Sequence, residues 1–200
     1  MKKNKISKNW IYRQKKDIYV RRSKLEGYRS RAVYKLKEID EKYKLTKNIS
    51  SAIDLGAAPG SWSQYLSKKI LKGKILSIDL LKIEPINNTY FIQGDFTDIK
   101  YQNEIINFFK KKVDLIVSDM AVNTTGNKNL DSIVTGELCM EAMDFAIKHL
   151  NEKGVFLSKI FMGSSFNEII SKGKKSFGKL SVFKPPSSRK ESKESFIICK

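Results

Sequence analysis

The sequence predicts an α/β fold: a seven-stranded, mostly parallel sheet with one antiparallel edge strand and helices on both faces. Two observations carry that prediction. From residue 51 onward, short segments rich in Ile, Leu and Val alternate with segments of helical period. The last two strand segments are joined only by "PPSSRKESK", which is too short for a crossover helix, so they must pair antiparallel. The chain of 200 residues, 40% apolar and 30% charged, suits one soluble domain with a substantial core.

Residues 1–24 have no steady period and many charges, and read as a basic arm that orders on meeting a partner. Trp10, Tyr12 and Tyr19 in that arm suit either stacking on bases or pinning the arm to the domain. Residues 25–200 form the single domain. "SRAVYKLKEIDEKYKL" (30–45) is a helix with Ala32, Leu36 and Ile39 on one face and Ser30 as its cap. "SAIDLG" is the first strand and "SWSQYLSKKIL" the helix after it. "KILSIDL" and "TYFIQGDF" are the next strands, "YQNEIINFFKK" a helix, and "VDLIVSDM" the fourth strand. "ELCMEAMDFAIKHL" is a long amphipathic helix stopped near Gly154, and "GVFLSKIF" the fifth strand. "SFNEIISKGKKSF" is the last helix, with "KLSVFK" and "ESFIICK" the closing strands.

The formal charge of +18 points to a polyanionic partner, most simply nucleic acid. Residues 1–50 carry 17 basic and five acidic side chains, residues 51–150 carry 11 and 12, and residues 151–200 carry 11 and four. Compositional drift would spread the excess evenly. Basic flanks around a neutral middle look instead like a binding rim. Cys139 and Cys199 form neither a metal pattern nor a disulfide framework, and read as buried thiols of a reducing cytoplasm. No apolar run reaches 18 residues, so no membrane span is expected. No metal is expected either, and the sole histidine, His149, reads as structural or surface. No interface stripe stands out, which suggests a monomer.

In this architecture ligands bind outside the carboxyl ends of the strands. The first such end is "AIDLGAAPGSW", where Gly56 permits close backbone approach and Pro59 and Gly60 lead into a helix start. It lacks Gly-x-Gly, which disfavours a nicotinamide oxidoreductase. Asp79 ends the second strand, where a carboxylate can hold ribose hydroxyls. Asp95 follows the third, placed for an adenine amino group. Each also suits a plain cap. Together with the glycine loop they suggest an adenosine ligand without a pyrophosphate, a description that S-adenosyl-L-methionine fits.

Asp119 ends the fourth strand, and Lys159 interrupts the apolar run "VFLSKIFMG". A lysine bracketed by apolar residues needs a partner or a task. Lys35 on the first helix and Glu194 at the head of the last strand are alone ordinary surface residues. As a cluster, burial and the positive charge of Lys35 can push Lys159 toward neutrality, against the pull of Asp119 that orients it, and let it take a proton from a sugar hydroxyl during methyl transfer. The plain alternative is a snorkelling, salt-bridged lysine.

"RSRAVYKLKEI", "DLGAAPGSWSQYL", "QGDF", "SDMAVN", "KIF" and "SKESFI" together resemble the FtsJ-like large-subunit ribosomal RNA 2'-O-methyltransferases of bacteria, over roughly residues 15–200. The resemblance implies a Rossmann-like methyltransferase fold and a Lys-Asp-Lys-Glu tetrad at Lys35, Asp119, Lys159 and Glu194, with Lys159 the base. It implies S-adenosyl-L-methionine contacts from Gly56, Ala57, Pro59, Gly60, Trp62, Asp79, Asp95 and Asp119. The implied substrate is a uridine of the large-subunit rRNA, methylated in the assembled ribosomal subunit. Arg13, Arg21, Arg22, Arg29 and Arg31 of the N-terminal region, with Arg189 and Lys190 of the "KPPSSRKESK" hairpin, would hold the RNA backbone. Two positions depart from the family pattern: Ser61 stands where a third glycine is common, and Val122 where proline is common. Relatives that modify tRNA or other RNAs share the tetrad, and a non-catalytic ribosome-assembly protein on the same fold is the alternative from another class.

Overall fold

A computed structural model describes residues 16–120 and 128–200. Trp10, Tyr12, Arg13 and Val122 lie outside them. The described elements are α1 (Ile18–Leu25), α2 (Val33–Tyr43), β1 (Ser51–Leu55), α3 (Ser61–Lys69), β2 (Lys74–Asp79), β3 (Tyr90–Gln93), α4 (Ile99–Phe109), β4 (Val113–Ser118), α5 (Lys128–His149), β5 (Leu150–Phe161), α6 (Phe166–Ser176), β6 (Leu180–Phe183) and β7 (Glu194–Cys199).

The strands form one seven-stranded sheet in the order β3-β2-β1-β4-β5-β7-β6. β3, β2, β1, β4 and β5 pair in parallel, and β7 is antiparallel to both β5 and β6. The antiparallel strand thus belongs to the β6 end of the sheet, inserted one place in from the edge. The chain leaves β1 for one half of the sheet and β4 for the other. A crevice therefore opens between their carboxyl ends, the place where such sheets take ligands.

Period-two alternation divides the core between the two faces. Ala52, Leu115, Val117, Leu157, Phe196 and Ile198 meet α2 and α3. Ile53, Leu55, Ile116, Phe156, Ile160 and Ile197 meet α4, α5 and α6. Phe156 and Phe196 are among the largest fully buried side chains, one on each face. Truncating either to Ala costs about 3–5 kcal/mol on the usual scale for such cavities.

Several boundaries differ from the sequence reading, each for a local reason. α1 lies inside the basic arm and across its expected end at residue 24. Asp17 caps it, its carboxylate accepting from the amides of Tyr19 and Val20. Ser30 does not cap α2; its hydroxyl accepts from the Ala32 amide and pairs with the Ser61 hydroxyl, and the helix begins at Val33. α4 starts at Ile99 because Asp98 accepts from the Lys100 amide. α5 gives way directly to β5 at Leu150, ahead of Gly154. The pairing of β5 with β4 shifts between Val113↔Leu150 and Leu115↔Val155, and the bulge absorbs the extra residues.

Candidate active site

The glycine loop is folded against the end of β2. The amides of Gly56 and Ala57 both donate to the Ile78 carbonyl, at 2.9 and 3.1 Å. Gly56 has a φ of 73°, and a Cβ there would lie 2.1 Å from Met120 Cγ. Only glycine lets the loop after β1 touch the loop after β4. Gly60 has a φ of 101° and starts α3 without a side-chain cap, leaving the first N–H groups of the helix facing the crevice. Asp79 accepts from the Ala58 amide and the Leu81 amide, each at 2.8 Å, one on each carboxylate oxygen. Each oxygen keeps a lone pair for a hydroxyl. An uncapped helix start, a close glycine approach and a held carboxylate fit an adenosine-type cofactor such as S-adenosyl-L-methionine.

The other expected cofactor residues are placed less uniformly. Ala57 is buried and Pro59 exposed on the same loop. The indole of Trp62 is buried and donates to the Ala32 carbonyl at 2.8 Å, against the Phe196 ring. Its side chain thus holds α2 to α3, and only its backbone faces the ligand end. Asp95 is exposed, and its Oδ1 accepts from the amide and hydroxyl of Thr97; the rest of its carboxylate stays open.

Lys35, Asp119, Lys159 and Glu194 are drawn together on the α2 face. Alternation explains why. Asp119 follows Val117 by two residues, Lys159 follows Leu157 by two, and Glu194 precedes its face-mate Phe196 by two, so all three share the face that α2 covers. Lys35 reaches them from α2, 3.0 Å from Glu194 Oε2 and 3.6 Å from Asp119 Oδ2. Lys159 Nζ lies 3.1 Å from Asp119 Oδ1 and donates to the Asp119 main-chain carbonyl at 2.6 Å. Lys159 is the most enclosed of the four, its side chain 7% exposed. Asp119 Oδ1 accepts no hydrogen bond despite the ion pair.

Burial and charge separate the two lysines. Burial pushes Lys159 below the usual lysine range; Asp119 pulls it back, and the positive charge of Lys35 works with burial. Burial also acts on Lys35, but the carboxylates of Asp119 and Glu194 outweigh it and hold that ammonium above its ordinary range. Burial would raise Asp119, yet Lys159 and Lys35 together keep it below the usual carboxylate range. The cluster therefore holds one firmly charged lysine, one firmly ionised acid, and one lysine inclined to lose its proton.

Among the described residues no group of His, Cys, Asp and Glu could hold a metal ion. Cys139 and Cys199 are buried free thiols. His149 packs against Phe145, with ring centres 4.5 Å apart. No described helix is long and apolar enough to cross a membrane.

The FtsJ-like methyltransferase family model matches residues 28–200. The chain belongs to the FtsJ-like methyltransferases. It is 64% identical over 200 residues to the ribosomal RNA large subunit methyltransferase E of Pelagibacter ubique, covering 100% of this chain and 98% of that one. It is 47% identical over 203 residues to the protein of that name from Rickettsia bellii, covering 98% and 89%. A solved ribosomal RNA methyltransferase from Plasmodium falciparum superposes with a TM-score of 0.77 at 33% identity, covering 86% of this chain and 97% of its own.

In this FtsJ-like chain the basic residues expected to contact RNA divide. Arg21, Arg22 and Lys190 are exposed, with Arg22 paired to Glu26. Arg29 is half-buried and engaged by the protein: its guanidinium donates to the carbonyls of Pro59 (3.1 Å) and Pro85 (2.9 Å), clamping the glycine loop to the loop after β2. Arg31 binds Asp17 and the Ser187 carbonyl, and Arg189 lies 3.6 Å from the same Asp17 oxygen. Glu38 completes the knot by accepting from the amide and hydroxyl of Ser187. The N-terminal region and the β6–β7 hairpin, read from sequence as two separate basic patches, form one platform tied by Asp17 and Glu38. Their sequence separation hid this. The only sequence cue was Asp17, the one acid among the basic residues 1–24.

Proposed function

We propose that the protein is an S-adenosyl-L-methionine-dependent 2'-O-methyltransferase of a uridine ribose in large-subunit ribosomal RNA. The observation that carries the reading is Lys159, buried at the carboxyl end of β5 with its proton affinity lowered, 3.1 Å from Asp119, whose neighbour Met120 meets Gly56 of the glycine loop. The names of the relatives support rRNA of the large subunit as the substrate.

The cofactor supplies a methyl group activated on a sulfonium. Its adenosine would lie against Gly56, Ala57, Pro59, Gly60, the Trp62 backbone and Asp79, with Asp95 at the adenine end. Lys159 Nζ accepts the proton of the ribose 2'-hydroxyl as that oxygen bonds to the methyl carbon and the carbon–sulfur bond breaks. Asp119 holds the amine of Lys159 through its carboxylate and its carbonyl. Lys35 stays charged, lowers Lys159 and, with Glu194, lines the ribose side of the cluster. The exposed Arg21, Arg22 and Lys190, with Arg13 and Arg189, hold the RNA backbone, and the other basic residues of positions 1–24 bind it too. The enzyme works in the cytoplasm, as a monomer, on the assembled large subunit.

The test is transfer from methyl-labelled S-adenosyl-L-methionine to large ribosomal subunits lacking the modification, with protein-free rRNA and tRNA in parallel, followed by nucleoside digestion. Label in 2'-O-methyluridine from subunits is the expected result. Label confined to tRNA would move the protein to another substrate, and label on a base would overturn the chemistry.

A further inference from the structure

A groove of about 530 Å³ lies between α2 and α3, away from the tetrad. Lys37, Lys44, Lys47, Lys68 and Lys69 wall it, with Tyr28 and Tyr65. α3 begins at the crevice with Gly60 and carries Lys68 and Lys69 in its last turn, about 12 Å further along the helix axis at 1.5 Å per residue. The groove thus faces the end of the sheet opposite the reacting groups.

Its carboxylates do not balance its lysines. Asp40 is buried and engaged by the protein: Oδ1 accepts from the Thr46 amide, and Oδ2 from the hydroxyls of Thr46 and Tyr65. Only Glu41 offers a free acidic face. The tyrosines help position the cations, with Lys68 Nζ 4.2 Å from the centre of the Tyr28 ring and Lys69 Nζ 5.5 Å from that of Tyr65. Complementing the helix dipole accounts for Lys68 and Lys69. The same holds for Lys44, which ends α2, but the dipole does not account for Lys37 in the body of that helix or for Lys47 beyond it.

We propose that this lysine groove is a second contact for the RNA phosphodiester backbone, separate from the platform beside the tetrad; the proposal rests on the RNA-methyltransferase reading. The chemistry selects a backbone over a single small phosphate. A tight phosphate site takes converging backbone N–H groups, as at a helix start. Here the last turns of two helices border the groove, where carbonyls project, and the donors are ammonium groups on flexible stems. Such point charges suit a chain of spaced phosphates.

The test is the salt dependence of binding of the full chain to large subunits and to protein-free rRNA. The variant K44Q/K47Q/K68Q/K69Q changes four exposed side chains, and its thermal midpoint checks that the fold is kept. Each phosphate contact contributes about 0.7–0.9 to the slope of log K against log salt, so the variant should lose about 3 from the slope for both targets. Its kcat at saturating subunits should stay within about twofold. An unchanged slope would overturn the proposal. So would a loss seen on subunits but not on protein-free rRNA, which would assign the groove to an acidic ribosomal protein. Because binding is read without turnover, a wild type that failed to methylate would sink the proposed activity while the slope still decided the groove.

Discussion

Replacing Lys35 with Met should move the pH dependence of methyl transfer without removing the capacity for it. The ammonium groups of Lys35 and Lys159 contact the same carboxylate, at 3.6 and 3.1 Å. That places them within about 9 Å of each other, where at an effective dielectric of about 20 the repulsion is about 2 kcal/mol, somewhat more than one pKa unit. In the wild type this repulsion favours the neutral form of Lys159, against the pull of Asp119. Without Lys35, only burial opposes the pull of Asp119 and Glu194 on Lys159, and its affinity for the proton rises. The acid limb of the pH–rate profile, measured in single turnovers at saturating cofactor and subunits, should shift up by at least about one unit. The rate at neutral pH should fall about tenfold or more and recover substantially in alkali. An acid limb that stays in place would refute the electrostatic reasoning. A rate lost equally at every pH would do so as well, and would make Lys35 a substrate-binding group instead.

Two further perturbations probe the cofactor end. Asp54, buried in β1, accepts from the Ser63 hydroxyl at 2.6 Å, and burial pushes its pKa up to about 7, with the charges of Asp119 and Asp79 adding to the rise. A folded-state value above the unfolded one means its stability contribution is full below about pH 4 and is lost as pH rises through about 7. Asp54→Asn should remove that dependence, so its thermal midpoint relative to wild type should climb between pH 5 and pH 8; parallel curves would contradict the buried acid. Gly60→Ala sets a Cβ 2.6 Å from Arg29 Nη1 and 2.9 Å from Ile86 Cδ1, at a φ of 101°. It should dislodge the Arg29 clamp and raise KM for S-adenosyl-L-methionine tenfold or more, with a smaller change in kcat; an unaltered KM would show that the clamp does not shape the cofactor site.

Much of the architecture was legible because parallel strands buried on both faces leave a strong signal. "SAIDL" is buried at every position, and the short link before "ESFIICK" required an antiparallel pairing. The position of that strand, between β5 and β6, was not legible, since strand order depends on packing between segments distant in sequence. Of the four residues of the charged cluster, Asp119 and Lys159 stood out individually, by a strand-end position and by apolar neighbours; Lys35 and Glu194 read alone as surface residues, and only the family resemblance joined them to the other two. Their joint contact depends on alternation placing Asp119, Lys159 and Glu194 on the face that α2 covers. Arg29 shows the opposite case. In sequence it is one more cation in a basic stretch, and only the approach of the carbonyls of Pro59 and Pro85 gives it an internal task. α1 was missed because its pattern is weak and its start depends on a single capping acid, Asp17.

The most direct test of the account is single-turnover methyl transfer to unmodified large subunits by Lys159→Met, with S-adenosyl-L-methionine binding measured on the same preparation. Loss of a general base should lower the rate by about 10²–10⁴ while cofactor affinity stays within a few-fold. A variant that binds the cofactor normally and still methylates the ribose at close to the wild-type rate would contradict the assignment of Lys159 as the proton acceptor.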